Sequence, residues 1–142
     1  SPSILTISGQ RVNHLVRGES YKYTYLVKFT REAKKVGFGM LIKTTSGVEL
    51  GGAVSASNAI KTLSRVRAGA TYLIEFCFQC NLNPGTYFLN AGVTGEALGP
   101  EGYLHRVVDI AMFRVMPEQD DRSTGYVSFN CSSEIKEIRS PS

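Results

Sequence analysis

From Thr71 to Thr94 the apolar residues fall at every second position. Tyr72, Ile74, Phe76, Phe78, Cys80 and Leu82 share one face of an extended chain. Tyr87, Leu89, Ala91 and Val93 share one face of a second. Successive side chains on a strand point to opposite sides, so a period of two predicts half-buried antiparallel strands. Asn83-Pro84-Gly85 stands between the two runs and reads as the turn of a hairpin. On that reading Glu75, Cys77, Gln79 and Asn81, then Phe88, Asn90 and Thr94, line the wet face of one stiff ribbon.

The same alternation recurs along the chain. Ile4 to Ser8 reads as a short strand ended by Gly9, and Asn13 to Gly18 as a connection. Tyr21, Tyr23, Tyr25, Val27 and Phe29 alternate with Lys22, Thr24, Leu26 and Lys28 in the clearest strand of all. Arg31 to Lys35 reads as a charged loop. Phe38, Met40 and Ile42 open the next strand, with a turn at Ser46-Gly47 and a hairpin return over Val48 to Ala53. Ser55 to Gly69 reads as loop plus a short strand, Gly95 to Tyr103 as a glycine-rich loop and Val107 to Val115 as a strand. Met116 to Thr124 reads as a polar linker, and Gly125 to Ser132 as a last, tethered strand that closes its own sheet or pairs with another subunit.

Eight to nine short strands and no long helical pattern predict an all-β fold, an antiparallel jelly-roll or immunoglobulin-like β-sandwich over residues 1–132, followed by a polar tail, 133–142. The inward tyrosines each require a hydrogen-bond partner, most simply backbone at a sheet edge. A chain of 142 residues is long enough for one domain with its own core. It opens on Ser1 rather than Met, which points to a fragment of a longer protein.

Chemistry is sparse in this sequence. Net charge is +4 and the sequence pI about 9.1, but the lysines and arginines are too scattered for a nucleic-acid stripe. Cys77 and Cys80 form C-x-x-C on a strand, so their side chains face opposite ways and neither pair nor share a metal. Free thiols fit a reducing compartment. No phosphate-binding loop, nucleophile elbow or zinc motif occurs, and no cofactor, metal or catalytic residue is assigned. What remains is a binding or structural module. Gln79, Asn81 and Asn90 offer paired donors and acceptors for vicinal sugar hydroxyls, and Phe88 offers a flat face for a pyranose ring. His105 and Arg106 open the strand after the glycine-rich loop, where Arg106 meets either an anionic group on a glycan or a neighbouring carboxylate. A plain solvated sheet face reads equally well from these residues.

Four segments occur in an order and spacing that carry a resemblance. They are Gly18-Glu-Ser-Tyr-Lys-Tyr-Thr-Tyr25, Phe38-Gly-Met-Leu-Ile-Lys-Thr-Thr-Ser-Gly47, Leu82-Asn-Pro-Gly-Thr-Tyr87 and Ala111-Met-Phe-Arg-Val115. Together they make the stretch from about Ile4 to Val115 resemble the C-terminal domain of Wzt proteins, the nucleotide-binding subunits of ABC transporters that export O-antigen polysaccharide. The resemblance implies a non-catalytic, jelly-roll-like domain that binds the finished non-reducing end of the glycan and licenses export by its own ATPase domain in the full-length protein. It implies a cytoplasmic location, associated with the inner membrane only through the parent transporter, and a homodimer with the last strand exchanged. It does not assign sugar contacts, which vary with the glycan. Two other readings stay open: a carbohydrate-binding module of a secreted glycoside hydrolase, and a structural dimerisation sandwich.

Overall fold

A computed structural model describes residues 2–55, 63–97 and 103–138, with the side chains of 97 and 103–106 left aside. The described residues form two facing sheets and contain no helix. The smaller sheet has the order β2 (Arg11–Val12), β1 (Ser3–Thr6), β4 (Ser20–Lys28), β8 (Thr71–Gln79). The larger runs β3 (His14–Leu15), β10 (Tyr103–Val115), β9 (Gly85–Ala97), β5 (Ala33–Thr44), β6 (Glu49–Val54), with β7 (Leu63–Val66) also paired to β5. All pairings are antiparallel except the short one between β3 and β10. The all-β sandwich read from the sequence stands, with ten strands among the described residues in place of eight or nine.

Each strand delivers the face its alternation predicts. Tyr21, Tyr23, Tyr25, Val27 and Phe29 point inward from the smaller sheet and its end. Phe38, Met40, Tyr87, Leu89, Ala91, Val93, Phe113 and Val115 meet them from the larger. Burying a phenol without a partner would cost more than its ring gains. The tyrosines avoid this by reaching across the core: the Tyr23 hydroxyl donates to the Leu89 carbonyl at 3.3 Å, and that of Tyr25 to the carbonyls of Gly39 and Gly92 at 2.8 and 3.0 Å. The acceptors are backbone, as expected, but they lie in the middle of the opposite sheet and not at an edge. Burial raises both phenols, Tyr25 to about 12.

Three expectations need correcting. Arg31 to Lys35 is only partly loop, because β5 already begins at Ala33; Lys35 at φ 52 marks an irregularity where the pairing with β9 shifts register. Gly125 to Ser132 makes a single isolated bridge, Val127 to Leu82, instead of a strand. Most consequentially, β8 and β9 are not a hairpin. β8 pairs with β4 in one sheet, and β9 pairs with β5 and β10 in the other. Asn83-Pro84-Gly85 carries the chain across the sandwich. A period of two reports which side of a strand is buried, and a strand facing the same core from the opposite sheet has the same signature. The ribbon of residues 71–94 therefore opens into two walls whose wet faces look in opposite directions. The central glycine-rich segment falls on residues 98–102, outside the described residues, as does 56–62 of the uncertain stretch.

Candidate functional site

The outer face of the larger sheet can be assembled from its register, because residues directly opposite on paired strands share a face. Met112, Phe88, Lys43 and Glu49 form one row across β10, β9, β5 and β6. Ile110, Asn90, Leu41 and Gly52 form the next, and Val107, Gly92, Gly39 and Val54 the third. In that third row two side-chain-free residues sit side by side between exposed Val107 and exposed Val54. The result is a groove of about 510 Å³ with a bare backbone floor and apolar banks.

Gly39 shows how the floor is made. A Cβ built on it would meet nothing closer than the Ala53 carbonyl oxygen at 3.4 Å and the Val54 side chain at 3.7 Å, which is ordinary contact. The strand does not demand glycine there, so any larger side chain would simply occupy the groove. Gly52 differs: its Cβ would fall 2.0 Å from the Met40 carbonyl oxygen, and close backbone approach forces the choice.

Asn90 is the polar group of this surface. It is only 8 % exposed, yet its carboxamide has no hydrogen-bond partner among the described residues. None of its polar atoms is fully sealed, so the amide looks into the groove, where it can donate two hydrogens and accept at its oxygen. Half-buried Phe88 lies two residues along the same strand, and Thr94 four residues the other way. A flat apolar ring beside an unsatisfied amide, above a floor with no side chains, suits a ligand with an apolar face and a polar rim. No cluster of His, Cys, Asp or Glu among the described residues could hold a metal ion.

Of the six residues singled out from the sequence, the fold sets Asn90 in this groove and Phe88 outside its lining, one row along the same outward face. His105 and Arg106 pair by backbone with Thr94 and Val93, alongside it; their side chains lie outside the described residues. Gln79 and Asn81 go elsewhere. Gln79 ends β8 in the other sheet, where its amide donates to the Gly18 carbonyl at 3.3 Å, and exposed Asn81 follows it, holding the Ser128 amide with its backbone oxygen. Sequence reasoning missed Gly39, Gly92, Leu41, Val54 and Val107. The available signal was glycine at outward positions in the middle of long strands, which weakens a strand unless something must approach its backbone.

A second polar cluster closes the end of the sandwich where Gln79 and Asn81 lie. Arg17 donates to Asn83 at 2.8 Å, to Glu118 at 3.0 Å and to Asp121 at 3.2 Å. Asn83 donates in turn to the carbonyls of Thr124 and Gly125, both at 2.9 Å, and its own carbonyl takes the Tyr87 hydroxyl at 2.6 Å. Its backbone amide holds the Tyr126 carbonyl. The hydrogen bond to Glu118 raises Arg17, while the Ser123 amide, ahead of Arg17 itself, lowers Asp121. Each of these side chains has a partner within the chain. The cluster is a clasp for the segment 117–128.

A family model described as the Wzt C-terminal domain matches residues 1–129. Among solved structures, a crystal structure of the C-terminal domain of wzt is similar over 96 % of this chain and 81 % of that one, with 24 % identity and a TM-score of 0.75. At that identity the likeness speaks for the fold. Spo0M, a sporulation control protein from Bacillus subtilis, is 12 % identical over 83 % of this chain and 49 % of that one, with a TM-score of 0.42, too loose to argue from. No curated protein matches.

Proposed function

The chain belongs to the Wzt C-terminal domain family, and from that premise we propose that it binds, without catalysis, the non-reducing terminus of an O-antigen polysaccharide. Binding would couple completion of the glycan to ATP-driven export by the ATPase domain of the full-length protein. That places the domain in the cytoplasm, at the inner membrane only through its transporter. The observation that carries the reading is Asn90: an amide nine-tenths buried and unpartnered, beside Phe88, in a groove floored by Gly39 and Gly92. Its polar atoms open on the groove and make no bond to the described residues, so a ligand can engage both its donor and its acceptor side in place of water. The groove's 510 Å³ falls within the ~300–1,000 Å³ of small-ligand sites. Its residues sit on strands, so little ordering is required on binding.

The test is calorimetric titration of the domain with the polysaccharide exported by its cognate transporter, comparing wild type with Gly39→Leu. The added side chain fills the floor without touching the core, so binding should be lost while thermal stability stays within about 1 kcal/mol. Undiminished binding by Gly39→Leu would remove the groove as the site.

Homodimerisation belongs to the same proposal. Phe129 is 83 % exposed, Ile135 and Ile138 are also bare, and the segment from Gly125 to Ser132 is held by one β-bridge and by hydrogen bonds to Asn81 and Asn83 that a second copy could supply in the same way. Exchange of this segment with a second copy would cover those side chains. Sedimentation at micromolar concentration reads the outcome: a monomer that shows no self-association contradicts it.

A further inference from the structure

Resting on that reading of the groove, we infer that the domain holds a second saccharide subsite at the edge of the sandwich, which takes a unit further back along the same glycan and so reads the body of the polymer as well as its end. The subsite is a cavity of about 430 Å³ where β1 and β2 of the smaller sheet face β10 of the larger. Ser3, Arg11 and Asn13 bring a hydroxyl, a guanidinium and a carboxamide to it, and Ile4, Ala111 and Met112 give it an apolar wall. Its size falls within the ~300–1,000 Å³ of small-ligand sites.

The backbone of β10 carries the argument. Alternate residues of a strand turn their N–H and C=O to the same edge. Along the outer edge of β10 the Arg114 amide donates to the Asn13 carbonyl at 2.9 Å, and the Ile110 amide donates to the Asp109 carboxylate at 2.8 Å. Met112 stands between them with its own N–H and C=O turned the same way, and β3 reaches only Arg114 and Val115. One stretch of edge is thus left open, and it opens on the cavity that Met112 lines. The gap is too short for an added peptide strand, which needs a run of free edge groups. A single sugar ring fits it: its hydroxyls can pair with the Met112 backbone, Asn13 and Arg11, while its C–H face lies on the apolar wall. The register joins this cavity to the groove. Met112 lies directly opposite Phe88, and both share the outward face with Asn90, one row away. From the Met112 row to the floor row of Gly92 is on the order of 13 Å along the strands. Exposed Met112 and half-buried Phe88 make an apolar track over that distance, so a glycan lying on it reaches both sites within a few units.

The experiment titrates a disaccharide and a hexasaccharide, both cut from the non-reducing end of the polysaccharide exported by the cognate transporter, into wild type, the double variant Arg11→Ala/Asn13→Ala and Gly39→Leu. Wild type should bind the hexasaccharide about tenfold more tightly than the disaccharide. The double variant alters only exposed side chains. It should bind the disaccharide as wild type does and keep only about a twofold preference for the hexasaccharide. If wild type binds the two fragments equally, or if the double variant retains the tenfold gap, the inference is overturned while the groove reading stands. If Gly39→Leu binds the disaccharide as wild type does, the groove reading fails and takes this inference with it.

Discussion

Asn83 and Asn90 lie seven residues apart, and each is nearly buried, at 4 % and 8 % exposure. Their surroundings are opposite. Asn83 accepts from Arg17, donates to two carbonyls of the C-terminal segment and holds a third through its backbone, so its hydrogen-bonding capacity is spent inside the chain. Asn90 faces outward from the central strand of the larger sheet with its carboxamide unused. The contrast separates a residue that maintains the fold from one held ready for something outside it. Composition alone treats them as the same amide.

The largest effect should come from breaking the saturated side of the pair. Asn83→Ala takes one of three partners from Arg17 and strands two carbonyls, and should cost about 3 kcal/mol, or about 10 °C in Tm by calorimetry. Asn90→Ala, which strands nothing, should move Tm by a small fraction of that. Equal losses in the two variants would erase the distinction.

Alkaline pH sharpens the comparison from beneath the groove, because the Tyr25 hydroxyl bonds to the carbonyls of both floor glycines. Burial raises Tyr25 from 10.0 to about 12. The folded state therefore favours the neutral phenol, and this contribution is complete below the unfolded value. As pH rises through the window between about 10 and about 12 it is lost, by on the order of 3 kcal/mol. Urea denaturation across that window should show the decline, with a shallower slope in Tyr25→Phe. The same slope in that variant would assign the alkaline loss to other groups.

The sequence was most legible where one strand meets the core. The inward sets of β4, β5 and β9 follow from alternation alone, because burial of one face needs no knowledge of the neighbouring strand. Opposed exposure of Cys77 and buried Cys80 followed from the same rule. Strand partnership was not legible. Residues 71–94 look the same whether they fold as one ribbon or face each other across 10 Å of side chains, and the difference moved Gln79 and Asn81 to the far sheet. Asn83 signalled a turn by its type, but the partners that make it a clasp come from 41 and 66 residues away. The groove was partly legible: Asn90 by its outward position, its floor only through glycines whose register no local pattern reveals.

The most direct test is one titration series of cognate polysaccharide against wild type, Asn90→Ala and Gln79→Ala. The two amides looked equivalent on a single ribbon and now stand on opposite sheets. Asn90→Ala should weaken binding about tenfold, roughly 1.4 kcal/mol, with Gln79→Ala indistinguishable from wild type. Loss of affinity in Gln79→Ala with Asn90→Ala unaffected would contradict a recognition site on the outer face of the larger sheet.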